Sequence, residues 1–332
     1  MIDFIRGRKK LILGFVGLLV LLIILPHFLS RYLCELLTQA LILSIVAMSL
    51  DILLGYTGLP SLGHAVYSGI AAYTTAILLT RYHASFPEVM IASLIVVTIV
   101  AALFGLLALR ATSHSFLLIT IALTMLAWGL AYRWTSFTKG ENGIAGITRP
   151  DLGLPWDFRV AINFYYLIFI CFSIALILMW AVVKSPFGKS LLGIKESPSR
   201  MQALGYNIWL HKYMAFVIAG IFSGFAGVLW VYYQGFVSPV DLEGIPSLEV
   251  LLMVALGGAG TLFGAIIGAV ILVFFKSLVS VHMERWMMLM GIVFILTVIY
   301  APEGISGLAR KVYNRLRHSG QSTELPVSKS SM

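Results

Sequence analysis

The sequence predicts an all-α, polytopic membrane protein of about ten membrane segments, some of them glycine-broken and discontinuous, with N- and C-termini cytoplasmic. Three observations carry this. Of 332 residues, 60% are apolar and only 11% are charged, where a soluble chain carries about 25% charged residues. A water-soluble globule cannot hide so much apolar surface, because even a large domain leaves part of its chain exposed. Second, the apolar residues run continuously over lengths near the ~20 that cross a bilayer as a helix, without the apolar–polar alternation of barrel strands. Third, the net charge is +9, and an excess of Lys and Arg between apolar runs marks cytoplasmic loops rather than a nucleic-acid partner. Composition therefore excludes a cytosolic enzyme, a nucleic-acid-binding module and a disordered chain.

The elements follow from the gaps between charges. Residues 1–35 comprise a basic segment and a first membrane span, 11–30, uncharged between Lys10 and Arg31. No small-x-small cleavage site follows, and Ser30-Arg31-Tyr32-Leu33-Cys34 is a poor lipobox, so this span is expected to be retained. A second span covers 36–50, between Glu35 and Asp51. Residues 52–80 are uncharged but broken by Gly55, Gly58, Pro60 and Gly63, which places the third span from near Ala65 onward. Spans four and five cover 89–109 and 111–132, the mixed-charge stretch 133–163 is a loop, and 164–183 is span six. A polar segment, 184–212, precedes span seven at 213–234. Residues 250–275 are uncharged but interrupted by Gly257-Gly258-Ala259-Gly260, and 286–301 form the last span. Residues 311–332, basic and then Ser-rich and polar, read as a disordered cytoplasmic tail.

Orientation follows the placement of Lys and Arg. Arg6, Arg8, Lys9 and Lys10 put the N-terminus inside, which places 133–163 outside and 184–212 inside. The inside segment carries Lys184, Lys189, Lys195, Arg200 and Lys212 against Glu196 alone. The outer loop after span seven carries Asp241, Glu243 and Glu249. Arg310, Lys311, Arg315 and Arg317 belong inside, which requires 250–275 to cross twice as short segments or to dip in and return, turning at Gly257–Gly260. Irregular backbone at membrane depth is tolerated only where protein buries it or it lines a cavity.

The breaks at Gly55-Tyr56-Thr57-Gly58-Leu59-Pro60-Ser61-Leu62-Gly63-His64 and at Gly257–Gly264 lie in the two halves of the chain. Paired broken segments point to a substrate pathway, which makes Gly55, Gly58, Ser61, Gly63, His64, Gly257, Gly258 and Gly260 candidates to line or gate one. Small residues every fourth position (Gly260, Gly264 and Gly268; Gly220 and Gly224; Ser223 and Gly227) serve close helix packing equally well. Glu35, Asp51 and His64 are ionisable groups within or beside spans, and each lies near a membrane edge or a break, where a snorkelled or capped group is an equal alternative to a functional one. No intramembrane chain of carboxylates supports ion coupling.

No catalytic set is legible. Gly188-Lys189-Ser190 looks like the end of a phosphate-binding loop, but that pattern needs a glycine at 183, which is Val. Cys34 and Cys171 lie in or beside apolar runs and have no metal-ligand spacing, so neither a disulfide nor a metal is expected, and no cofactor is implied. Uphill transport by this chain requires an ATPase on another polypeptide. The segment 184–212 offers such a partner a contact: Ser197-Pro198 suits a helix start and Gly205 its end. A solvated connector with incidental helicity is the plainer alternative.

Five stretches together resemble the permease subunits of branched-chain amino acid ABC importers, of the LivM type. They are Leu50–Tyr73, Gly140–Pro150, Ser185–Ile208, Glu249–Gly268 and Glu303-Gly304-Ile305-Ser306-Gly307-Leu308, and the likeness spans roughly 36–310. Pro60, Pro198, Met201 and Gln202 depart from the family pattern. The resemblance implies a non-catalytic permease domain over 36–310, with 184–212 as its coupling segment. It implies a second related permease as heterodimer partner, two ABC ATPase subunits and an extracytoplasmic solute-binding protein, all at a prokaryotic inner membrane. Glu196, Arg200, Ala203, Leu204 and Gly205 would then contact the ATPase. Asn142 and Gly143 would form a structured outer loop near the binding-protein contact, with an ordinary Asn-Gly turn as the alternative. Branched-chain, hydrophobic amino acids are the expected solute; urea, amides or aromatic acids are alternatives within the class, and an ion-coupled secondary carrier is the alternative outside it.

Overall fold

The computed structural model describes residues 23–111, 113–153, 155–283, 285–300 and 304–307. The basic N-terminus, most of the first expected span, and the tail 311–332 lie outside the described residues. Eleven helices of six or more residues organise the described part. They are α1 (Arg31–Asp51), α2 (Ala65–Tyr82), α3 (Phe86–Ala108), α4 (Ser113–Arg133), α5 (Ala161–Lys184), α6 (Pro186–Glu196), α7 (Pro198–Ala203), α8 (Ile208–Gln234), α9 (Gly244–Gly257), α10 (Leu262–His282) and α11 (Trp286–Tyr300). The only strands among the described residues are β1 (Ile144–Ala145) and β2 (Phe236–Val237), which pair antiparallel with Ile144 opposite Val237.

Among the described residues, six helical stretches are long and apolar enough to cross a membrane: Arg31–Tyr56, Phe86–Ala108, Ser115–Arg133, Ala161–Lys184, Ile208–Gln234 and Leu262–Val281. The protein is a multi-pass membrane protein. Its layers separate by burial. Within the most apolar part of Arg31–Tyr56, 83% of residues are buried, against 28% in Phe86–Ala108. α1 is therefore the central post, with α5, α8, α9 and α10 packed around it. α3 is peripheral, and its exposed Ile91, Ile95, Ile99 and Leu103 recur every fourth residue on one face, a stripe that suits lipid.

Small residues make the close crossings. A Cβ at Gly224 would lie 2.7 Å from Val97 Cγ1 of α3, and one at Gly220 2.7 Å from Ala101 Cβ. Gly227 lies against the backbone of Ser68, and Gly268 against the Met253 carbonyl. The stripes are helix–helix contacts, where removal of a side chain lets backbones approach. Buried hydroxyls add polar ties. The Thr75 and Ser93 hydroxyls lie 3.0 Å apart between α2 and α3.

Local sequence explains the ends. Ser85 and Glu88 form a capping box at the start of α3, with Pro87 in the first turn. Ser185 caps α6 through the Gly188 amide, and Pro186 opens that helix. The α7 end is a Schellman turn: Tyr206 N donates to Met201 O at 3.1 Å, Gly205 N donates to Gln202 O at 3.0 Å, and Gly205 holds φ +87°. A side chain is strained there, which is why glycine stops this helix.

Several expected boundaries shift. Glu35 does not bound the second span but lies inside α1, whose last residue is Asp51. Glu249 does not lie in an outer loop; α9 begins at Gly244, and Glu249 on α9 pairs with Lys276 on α10 at 2.7 Å. Counting uncharged residues shortened both helices because each charge has a partner inside the fold. The interruption at 257–260 is real: α9 ends at Gly257, and α10 starts at Leu262 and packs back along it.

Candidate functional site

The two predicted breaks touch. After Asp51 the α1 backbone continues as a π-helical turn, Ile52–Tyr56. The chain then reverses at Gly58, φ +72°, and Leu59 N closes the turn onto Leu53 O at 3.0 Å. Such π turns recur at functional sites. Gly55 faces Gly260 of the second break, and a Cβ on Gly55 would collide with the Gly260 backbone amide and with Asp51 Oδ1. That amide donates to Asp51 Oδ1 at 2.7 Å. Asp51 is fully buried, and its Oδ2 has no hydrogen-bond partner among the described residues.

The α6–α7 elbow reaches the same place. Lys195 Nζ, near the end of α6, donates to the Gly55 carbonyl at 2.7 Å. Its stem lies across Gly58, where a Cβ would sit 3.2 Å from Lys195 Cγ. The last carbonyls of a helix lack intrahelical donors, and a cation suits that negative end of the helix dipole. The segment after α11 arrives too: Gly304 packs against the Gly258 amide, and Thr261 Oγ1 donates to Ser306 Oγ at 3.2 Å. Four of the five stretches singled out in the sequence thus meet at one junction, although Glu303 and Leu308 lie outside the described residues.

The remaining pathway candidates form a second buried cluster. His64 is fully buried; its Nε2 lies 2.7 Å from Ser49 Oγ, and its carbonyl accepts from Ser223 Oγ at 3.1 Å. Ala65 N donates to Ser247 Oγ at 3.0 Å. These bonds join α1, α2, α8 and α9. The Ser61 hydroxyl accepts from Gly63 N at 3.3 Å, and Leu62 N donates to Thr120 Oγ1 of α4 at 3.3 Å. Gly63 lies against the Thr120 carbonyl and the Thr124 hydroxyl. Gly257 lies against Gly264 at the tip of the α9–α10 hairpin.

The elbow itself is bare. No residue of α7 is buried, Leu204 is 72% exposed, and Tyr206, Trp209 and Leu210 are exposed with it. Glu196, Arg200, Ala203 and Gly205 all lie on this exposed surface. Met201 packs on Gly193, where a Cβ would come within 2.8 Å of its sulfur, and this contact folds α7 against α6.

The opposite end of α5 carries a different structure. Asn142 is exposed and Gly143, φ +63°, is buried against the Val237 carbonyl, so the Asn-Gly turn feeds directly into β1. Asp241 is tied in beneath: its carboxylate accepts from Ser238 N at 2.9 Å and Trp230 Nε1 at 3.3 Å. Burial pushes the Asp241 carboxyl above the usual carboxylate range, against the pull of those two donors. Arg149 pairs with Glu35 at 2.7 Å and lies 4.5 Å over the Phe164 ring. Beside it a cavity of about 930 Å³ opens, lined by His83, Arg149, Trp156, Asp157, Arg159 and Tyr232 among others. No group of three or more metal-ligating side chains occurs among the described residues. Sequence reading singled out the glycines and Asp51 separately; it missed Lys195 as their link, because nothing in a linear pattern places residue 195 beside residue 55.

The described helices, with two glycine breaks that touch, form the frame of a multi-pass membrane protein. The family described as "Branched-chain amino acid transport system / permease component" matches residues 32–298, and the chain belongs to that family. Among its relatives, the high-affinity branched-chain amino acid transport system permease protein LivM of Escherichia coli K12 is 29% identical over 93% of this chain and 77% of its own length. The probable branched-chain amino acid transport permease protein LivH of Methanocaldococcus jannaschii is 24% identical over 82% of this chain and 91% of its own. The galactose/methyl galactoside import permease protein MglC of Salmonella typhimurium is 27% identical over 77% and 82%. No solved structure matches the chain.

Proposed function

We propose that this chain is the permease subunit of an ATP-driven importer of branched-chain, hydrophobic amino acids. It forms half of the translocation path and performs no chemistry itself. The observation that carries the reading is the bare helix α7, folded on α6 at one end of a chain matched by the permease family over 32–298. An exposed apolar ridge of Leu204, Tyr206, Trp209 and Leu210 beside Arg200 and Lys195 is out of place on a free surface. It suits a groove on a soluble subunit. We assign the elbow to the cytoplasmic face and to two ATPase subunits, with Glu196, Arg200, Ala203, Leu204 and Gly205 in the contact.

The rest of the assembly follows from this orientation. The end carrying β1, β2 and the 930 Å³ cavity faces outward, where Asn142 and Gly143 stand near a solute-binding protein. About ten segments, counting a first span within 11–30, leave both termini inside. A second, related permease completes the path. ATP binding closes the ATPases and moves the elbow, and access alternates as far as ATP and the binding protein distinguish the two states.

The test is reconstitution of the chain with its second permease, ATPases and binding protein in proteoliposomes. ATP-dependent accumulation of radiolabelled leucine supports the reading. Accumulation driven by a proton or sodium gradient without any ATPase contradicts it and supports a secondary carrier. A second reading concerns the solute alone. Because a galactoside permease is also a relative, this frame does not by itself select amino acids, and urea, an amide and an aromatic acid belong in the same assay.

A further inference from the structure

We propose that Lys195 is a positioning residue of transport: its ammonium fastens the α6–α7 elbow to the junction of the two glycine breaks. Through it, motion of the elbow reaches the path. The inference rests on the importer reading above and deepens it by naming the link.

Four observations converge on the link. Lys195 Nζ holds the Gly55 carbonyl at 2.7 Å, the only hydrogen bond from Lys195 to the π turn among the described residues. Its stem lies across Gly58, the reversal of that same turn. Gly55 in turn lies on Gly260, whose amide donates to Asp51 Oδ1 at 2.7 Å. Asp51 Oδ2, fully buried, has no partner among the described residues, and the Asp51 carboxylate lies against Gly55, the residue whose carbonyl holds Lys195. A buried carboxylate oxygen without a partner is costly, and the ammonium on the neighbouring Gly55 carbonyl is a group able to satisfy it. The junction therefore has two arrangements. In the one seen here Lys195 sits on the Gly55 carbonyl; in the other the elbow shifts and the ammonium moves to Asp51 Oδ2, releasing the π turn. Two discrete pairings of one cation give a switch that the elbow biases from one side and the path from the other.

A lysine that merely caps a helix end would affect stability alone. The proposal requires a change in coupling. The experiment uses the full complex in proteoliposomes, with ATP hydrolysis and leucine uptake measured on the same preparation. Lys195→Met keeps the stem across Gly58 and removes the ammonium. It is expected to leave ATP hydrolysis within about twofold of wild type and to lower leucine transported per ATP about tenfold, the scale of one charge-assisted hydrogen bond. Lys195→Arg, which keeps the charge and a donor, is expected to restore at least half of the ratio. A normal ratio in Lys195→Met at normal membrane abundance overturns the proposal. So does an equal fall in hydrolysis and uptake that Lys195→Arg fails to rescue, because that result makes Lys195 an ATPase contact only. Lys195→Gln replaces the Met variant, with the same two readings, if the latter does not accumulate. A wild-type complex with no ATP-driven uptake of any solute defeats the importer reading instead, and this inference with it.

Discussion

At the scale of single residues, the fold depends on side chains that are absent and on a few polar groups that are fully enclosed. Gly55 has no room for a Cβ, since the Gly260 amide and Asp51 Oδ1 occupy that space. Gly55→Val is expected to force the two breaks apart at a cost of about 1–3 kcal/mol, read as a lower Tm of the detergent-solubilised protein. His64 carries a contrasting expectation. Its ring is sealed between Ser49 and Tyr67, so His64→Ala should destabilise by about 2–4 kcal/mol through the cavity it leaves, while the Ser49 hydroxyl keeps its bond to the Val46 carbonyl. Because solute cannot reach a fully buried ring in this conformation, KM for the transported amino acid should stay unchanged; a KM shift without a Tm shift would return His64 to the path. Both residues stood out in the sequence as members of a glycine-rich break. That Gly55 touches a partner and His64 a hydroxyl cluster was not legible, because those contacts join residues 205 and 159 positions away, as in Gly55–Gly260 and Ser223–His64.

Among the elements, the elbow was the most legible and the hairpin the least. Ser197-Pro198 and Gly205 bracket the helix that forms, Pro198–Ala203, because a proline in the first turn and a positive-φ glycine at the end are local requirements. The preceding helix α6 carries its own local signal, Ser185 before Pro186. Gly205→Pro replaces φ +87° with a ring fixed near −65°, and with it Glu196→Lys reverses a charge on the exposed face. Each is expected to cut ATP-dependent uptake about tenfold or more while membrane insertion, followed by immunoblot of membrane fractions, stays normal. Normal uptake in both would remove the elbow from coupling. In the α9–α10 hairpin the glycines announced the break, but Glu249 concealed the first part of α9, since a charge inside an apolar helix reads as its edge until its partner Lys276 is seen.

For the whole molecule, the helical multi-pass class followed from composition, because a bilayer imposes length and apolarity on every crossing. Helix boundaries came within a few residues where charges lie at the ends, as at Ser113–Arg133 and Trp286–Tyr300, and failed where charges pair inside. Topology is a prediction at this scale: with α9 and α10 as separate crossings, a reporter fused after Met332 should be active in the cytoplasm, and an outward reporter would require the hairpin to cross once only. The central claim is that this chain is half of a path driven by subunits gripping its exposed elbow. Leucine accumulation in proteoliposomes, with and without the partner ATPases, tests it most directly. Accumulation should require the ATPases and ATP together, and the chain alone should concentrate nothing; concentrative uptake by the chain alone would contradict the account.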